Sequence, residues 1–146
     1  ACNQGCFDQI FNLRPATCLV NPRAGKEMET PVSVADKVKT ILVIGGGPAG
    51  ISVAWQLRKQ AHQVTIYEVA KTLGGKITQV IPQSRIPQNV IKTEMQRIKE
   101  VIPQVNLQQP LGAKDIIQLK ADFDFIVIAN GAQMPRNLVI PGNERT

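Results

Sequence analysis

After Cys18 the chain of 146 residues contains no further cysteine. Disulfide staples therefore cannot hold its larger part together, and the even thiol count of a secreted framework is missing. A chain of this length buries roughly 68–70% of its unfolded surface, so it needs no staples to form a core. Aromatic residues are scarce: four Phe, one Trp and one Tyr. The seventeen Lys and Arg are scattered, with only Arg58 and Lys59 adjacent, and the net charge is +6. A nucleic-acid site needs a concentrated basic face with stacking aromatics, so the charge reads as solvated surface. No run approaches the ~20 apolar residues of a membrane span. The N-terminus lacks the charged-then-apolar pattern of a secretory signal. The expectation is a cytoplasmic protein without nucleic-acid or membrane partners. The single histidine, His62, lies between a helix and a strand and reads as a structural or surface residue. No Ser/His/Asp set or paired carboxylates stand out, so no catalytic residue is assigned. Asp122 and Asp124 read as solvated residues flanking a strand start.

What is present is an alternation. Residues 1–38 hold the three cysteines and then "NPRAGKEMETPVSVADKVKT", whose prolines, glycine and mixed charges suggest a linker or extended arm. From residue 39 to 146 the composition suits a folded domain. Ile41 to Ile44 is a short apolar run of the kind a buried parallel strand requires. Pro48 suits the first turn of a helix, and Ile51, Ala54 and Leu57 share one helical face. Val64 to Tyr67 reads as a second strand. "LGGKITQVIPQSRIPQ" reads as loop. Ile91, Met95, Ile98 and Ile102 predict a helix from about Gln88 to Val101. "VNLQQ" suits a short strand, "AKDIIQLK" a short helix, and "FDFIVIA" another buried strand that Asn130-Gly131 ends. Strands alternating with helices predict an α/β, Rossmann-like parallel sheet, preceded by an irregular cysteine-containing arm.

Gly45-Gly46-Gly47-Pro48-Ala49-Gly50 follows the first strand and opens the first helix. Gly45 permits a tight turn, Gly47 lets backbone approach a pyrophosphate, and Gly50 lets helix pack on strand. The helix start, with Pro48 and Ala49, offers N–H groups and a partial positive charge to phosphates. Glu68 closes the second strand, where its carboxylate can accept both hydroxyls of an adenosine ribose and repel a 2′-phosphate. That disfavours NADP in this site and leaves NAD and FAD open. A plain glycine turn is the alternative. Gly74 and Gly75 could let a second loop reach the same pyrophosphate, and Gly131 would return beside the first strand. Either could equally be an ordinary loop or strand end.

Cys2, Cys6 and Cys18 are one short of the four ligands of a structural zinc or an iron–sulfur cluster. The spacing leaves two readings, a metal or cluster site and incidental thiols. Phe7 and Phe11, four residues apart, could pack around a cluster.

"GGGPAG", "VTIYE", "LGG", "FDFIVIANGA" and "IPG" together resemble the FAD-binding half of two-dinucleotide-domain flavoprotein reductases. The resemblance implies that Gly74, Gly75, Asn130 and Gly131 lie against FAD. Asn130 stands where the group has Thr, and Ala61 where a glycine ends the first helix, which costs a helix cap. "IPQSRIPQ" is similar to the loop of glutamate-synthase-type flavoprotein domains whose arginine approaches FAD; the matching residue is Arg85, otherwise a surface arginine. "ACNQGCFDQIF" and "TCLVNPRAGKE" resemble the cluster loop of the iron–sulfur flavoenzymes related to old yellow enzyme, with its four cysteines followed by "NP" and "G.E". Cys2, Cys6 and Cys18 match the second to fourth of these cysteines, and the first would fall two residues before Ala1. The resemblance implies a 4Fe–4S cluster, an FMN-carrying (β/α)8 barrel before this segment and an NAD(P)H domain after it. It also leaves room for a homo-oligomer. The segment would be the cluster arm and the first half of the FAD domain, relaying electrons from NAD(P)H through FAD and the cluster to FMN. In one branch of the family the domain holds ADP alone, which would make it a nucleotide-bound structural module. A stand-alone NAD-binding or regulatory module is the alternative from another class.

Overall fold

The computed structural model describes residues 3–31 and 33–134. The chain forms two compact units that divide between Ser33 and Val34.

The second unit is built on a sheet of four parallel strands, β1 (Thr40–Ile44), β2 (Gln63–Glu68), β3 (Gln104–Leu107) and β4 (Phe125–Ile128), in the order β3-β2-β1-β4. The chain therefore winds outward through two strands and then crosses back to the other side of β1. That reversal opens a crevice at the carboxyl ends of β1 and β4. Ile41, Leu42 and Val43 are all buried, as the central strand of a covered parallel sheet requires. Val64 and Ile66 continue this core, and Ala54, Leu73 and Ile102 close it.

Helix α2 (Pro48–Lys59) connects β1 to β2, with Pro48 in its first turn, where the missing N–H costs nothing. It ends on Ala61, whose φ of 69° is left-handed. His62 N–H donates to the Leu57 carbonyl at 3.1 Å and Ala61 N–H to the Arg58 carbonyl at 3.0 Å. This is the paired-bond helix stop that glycine normally serves. A left-handed alanine costs roughly 1–2 kcal/mol. Ala61→Gly is therefore expected to raise stability by about 1 kcal/mol, after the entropy of glycine is counted. Thermal unfolding should show a midpoint higher by about 2–4 °C; a midpoint that stays or falls removes strain as the account of this turn.

Helix α4 (Gln88–Val101) follows the predicted span, with Ile91 buried and Met95 and Ile98 packed on the core. The segment 73–88 is not all loop. A short helix, α3 (Lys76–Val80), starts directly after Gly75, and the Thr78 hydroxyl donates to the Gly75 carbonyl at 2.8 Å. Its five residues are too few to show a helical period in the sequence. Helix α5 (Ala113–Leu119) begins with Asp115 accepting the Gly112 N–H at 2.7 Å.

Asp124 is not a freely solvated residue. Its carboxylate accepts the Thr40 N–H at 2.8 Å, the Thr40 hydroxyl at 2.9 Å and the Lys39 ammonium at 3.1 Å. These donors, the Thr40 backbone first and then Lys39, hold its acidity at a pKa of about 2. The carboxylate ties the start of β4 to the start of β1 and sets their register, in which Ile41 faces Phe125. His62 accepts the Lys39 N–H on Nδ1 at 3.2 Å, a structural bond.

The first unit is not simply extended. It contains helix α1 (Gln4–Phe11), in which Phe7 and Phe11 stack with ring centroids 5.6 Å apart. Phe7, Ile10 and Phe11 stand at helical spacing, and all three are exposed. Among the described residues no helix is long and apolar enough to cross a membrane.

Candidate nucleotide cleft and cysteine loop

The glycine loop between β1 and α2 is shaped by what its residues touch. Gly45 has φ 108°, and a Cβ on it would collide with the Ala129 carbonyl oxygen on the neighbouring strand. A Cβ on Gly50 would overlap the Gly45 carbonyl oxygen. The first accepting carbonyl of α2 is that of Gly47, which takes the Ile51 N–H at 2.9 Å. The N–H groups of Ala49 and Gly50 are left at the open end of the helix, aimed where its dipole is positive.

A second glycine loop meets the first. Gly74 N–H donates to the Gly46 carbonyl at 2.8 Å. Gly75 has φ 51°, and a Cβ on it would lie 2.9 Å from Gly47 Cα. Both glycines therefore keep the two backbones in contact at the start of α2.

Glu68 is only 6% exposed. One carboxylate oxygen accepts the Gly46 N–H, and the other accepts the Ala70 N–H at 2.8 Å. Its backbone carbonyl takes the Gln109 N–H at 2.9 Å. A single acid thus connects the end of β2, the glycine loop and the turn after β3. Each carboxylate oxygen carries a second lone pair, so these two bonds leave acceptor capacity for a ligand hydroxyl.

A cavity of about 500 Å3 lies over this junction, lined in part by Gly45, Gly47, Pro48, Ala49, Glu68 and Gly75. Asn130 and Gly131 enter it from the end of β4. Gly131 has φ 70°, and the Asn130 carbonyl accepts from the Gln133 amide. Three expected residues are outside the lining. Gly50 is buried against Val43 of β1, and Gly74 ties the second loop to Gly46 through its N–H. Arg85 is exposed in a turn where its N–H donates to the Pro82 carbonyl at 2.9 Å, so its side chain is not among those brought to the cavity. Residues not anticipated from the sequence also line it, among them Lys76, Gln79, Gln109 and Ile116. Lys76 had a signal, a cation directly after Gly75; the others reach the cavity only through the fold.

In the first unit, Cys6 and Cys18 are free and half-buried. Their segments touch: the Thr17 hydroxyl donates to the Gly5 carbonyl at 3.4 Å, and a Cβ on Gly5 would lie 3.2 Å from Leu19 Cγ. Cys18 Sγ accepts the Asn21 N–H at 3.4 Å. That backbone donor, with a lesser one from Val20, holds the thiol pKa below its usual value and favours the thiolate. "NPRAGKE" folds back on this loop, since a Cβ on Gly25, at φ 74°, would lie 3.6 Å from the Ala16 carbonyl oxygen. Cys2 lies outside the described residues. Among the described residues no group of three or more His, Cys, Asp and Glu side chains converges on one point.

Residues 43–108 match the family model of the NAD(P)-binding Rossmann-like domain. The chain is 32% identical, over 90% of its length, to the bilirubin reductase of Mediterraneibacter gnavus. It is 29% identical, over 99% of its length, to the cinnamate reductase of Clostridium sporogenes. The structure of a 2-naphthoyl-CoA reductase superposes on 94% of the chain with a TM-score of 0.71 and 31% identity. In each case the chain spans about a fifth of the relative, between 20% and 22% of its length. The similarity to the cinnamate reductase runs over nearly the whole chain, the cysteine loop and the parallel sheet together.

Proposed function

We propose, for a chain that belongs to the iron–sulfur flavoprotein reductases related to old yellow enzyme, that it is the electron-transfer segment of an NAD(P)H-dependent oxidoreductase. Its cleft takes the ADP part of FAD, and Cys2, Cys6 and Cys18 supply three ligands of a 4Fe–4S cluster. The observation that carries this reading is the contact of the two glycine loops at the start of α2. A side chain at Gly75 would fill the approach to Gly47. Such a cradle suits a pyrophosphate, whose oxygens need close backbone donors.

The division of labour follows from the residues. Ala49, in the cavity wall, offers its N–H to the pyrophosphate, and the dipole of α2 favours its charge. Glu68 accepts the ribose hydroxyls with the lone pairs that Gly46 and Ala70 leave free. Asn130 and Gly131 close the cleft along β4. Lys76 stands at its rim as a counter-charge. FAD, when bound, supplies the step from hydride chemistry to single-electron transfer that a neighbouring cluster can relay. The residues around the thiols fit a cluster: two cysteines sit on contacting segments, and Cys18 Sγ already takes a backbone N–H, as cluster thiolates do.

An anaerobic visible spectrum of the full-length protein, followed by cofactor extraction and iron and sulfide analysis, tests the proposal. We expect flavin bands over a broad iron–sulfur shoulder, with FAD among the released nucleotides. ADP without FAD would make the segment a nucleotide-bound structural module. Flavin without iron and sulfide would remove the cluster from the account.

A further inference from the structure

The feature of the first unit that the reading above does not use is Arg23. Its Nε is buried and, among the described residues, has no hydrogen-bond partner. Its Nη2 donates to the Glu27 carbonyl at 3.3 Å. Among the described residues no carboxylate pairs with it: the Glu27 carboxylate instead accepts the Gly25 N–H at 3.2 Å. The ion pairs among the described residues are Lys39 with Asp124 and Arg97 with Glu94. A guanidinium is always charged, and leaving one of its buried donors unpaired is costly. Such a group is expected to face an anion.

The surroundings say which anion. Cys18 Sγ accepts the Asn21 N–H, the Asn21 side-chain oxygen accepts the backbone N–H of Arg23 at 3.1 Å, and the Asn21 carbonyl accepts the Ala24 N–H at 3.0 Å. Gly25 then returns the chain to Ala16. Residues 16–25 thus form one closed loop, with Cys18 on one limb and Arg23 on the other. A cluster held by cysteine thiolates is anionic, and it becomes more so on reduction.

We propose that Arg23 is the counter-charge of the iron–sulfur cluster, its buried Nε–H directed to a cluster sulfur or ligand thiolate, and that it thereby raises the cluster's reduction potential. The inference rests on the cluster reading above. Arg23 is a positioning and tuning residue in this account, since it acts on electron transfer through the cluster. Net charge and hydrogen bonds to sulfur are among the levers that set such potentials. Removing a cation beside the cluster disfavours the reduced form more than the oxidised one.

The test uses the full-length protein with Arg23→Gln and Arg23→Lys. Each is titrated anaerobically with the reduced cluster followed by electron paramagnetic resonance, and its iron and sulfide are measured. The midpoint should move to more negative potential in Arg23→Gln and return most of the way in Arg23→Lys. A fully loaded Arg23→Gln protein with an unmoved midpoint overturns the proposal. Should Arg23→Gln lose its iron, retention by Arg23→Lys supports the need for charge. Loss from both variants overturns it, because the demand is then for the shape of the guanidinium in folding. An iron-free wild-type protein would instead sink the cluster reading itself, an outcome distinct from an intact cluster whose potential ignores Arg23.

Discussion

Gly50→Ala is expected to lower stability by about 3 kcal/mol and to abolish nucleotide binding with it. The added methyl would occupy the position of the Gly45 carbonyl oxygen and press on Val43 Cγ1 at 3.2 Å. Neither can retreat cheaply. Gly45 is fixed by its N–H, which donates to the Tyr67 carbonyl at 2.8 Å, and by the Ala129 N–H, which donates to the adjoining Ile44 carbonyl at 2.8 Å. Val43 is fully buried in the central strand. The helix would have to lift off the sheet, taking the N–H groups of its first turn with it. Thermal unfolding should show a midpoint lower by roughly 10 °C for a chain of this size. Binding of ADP, read by calorimetry, should fall below detection. A variant that unfolds at the native midpoint and binds normally would show that α2 can rest at a greater distance, and the reason given for glycine here would fail.

Glu68→Ala should weaken ADP binding by about 1–3 kcal/mol, roughly 5- to 150-fold, the usual range for unpairing buried hydrogen-bonding groups. Two separate losses are expected. The ligand would lose its ribose acceptor, and Gly46 and Ala70 would lose the acceptor of their N–H groups. Glu68→Gln separates them poorly but usefully: its amide must turn an NH2 toward one of two N–H donors, so stability should fall nearly as far as in the alanine variant. Calorimetry and thermal unfolding on the same samples distinguish the roles. If stability falls while ADP affinity holds, Glu68 is a brace for the loops and does not reach the ribose.

Much of the second unit could be read from its residues because its signals are local. The apolar run of Ile41 to Ile44, the glycine loop and Pro48 each demand one conformation, and the structure supplies it. The helix from Gln88 was legible from Ile91, Met95 and Ile98, whose period survives over fourteen residues. What escaped was short or long-range. Helix α3 lasts five residues and is set by the Gly75 turn before it. Helix α1 was hidden because the cysteines invited a reading as loop, although Phe7, Ile10 and Phe11 carry the helical spacing. Asp124 could not be read as a clamp, since its partners Lys39 and Thr40 lie more than eighty positions away, at |i−j| of 85 and 84. The cleft shows the same division. Glycines and Glu68 announce themselves by type and spacing, whereas Gln109 and Ile116 reach it only once β3 has paired with β2.

The bonds that join the two glycine loops have a thermodynamic consequence. Gly74 to Gly46, Gly46 to Glu68 and Ala70 to Glu68 all run within the protein. The conformational entropy of these loops is therefore surrendered when the chain folds, not when a nucleotide arrives. Association should consequently resemble a key entering a finished lock, with little loop ordering to subtract from the contacts made. The same economy makes the site brittle. A substitution that loosens any one of these bonds transfers the ordering cost to the ligand, and affinity would fall even where every contacting residue is intact.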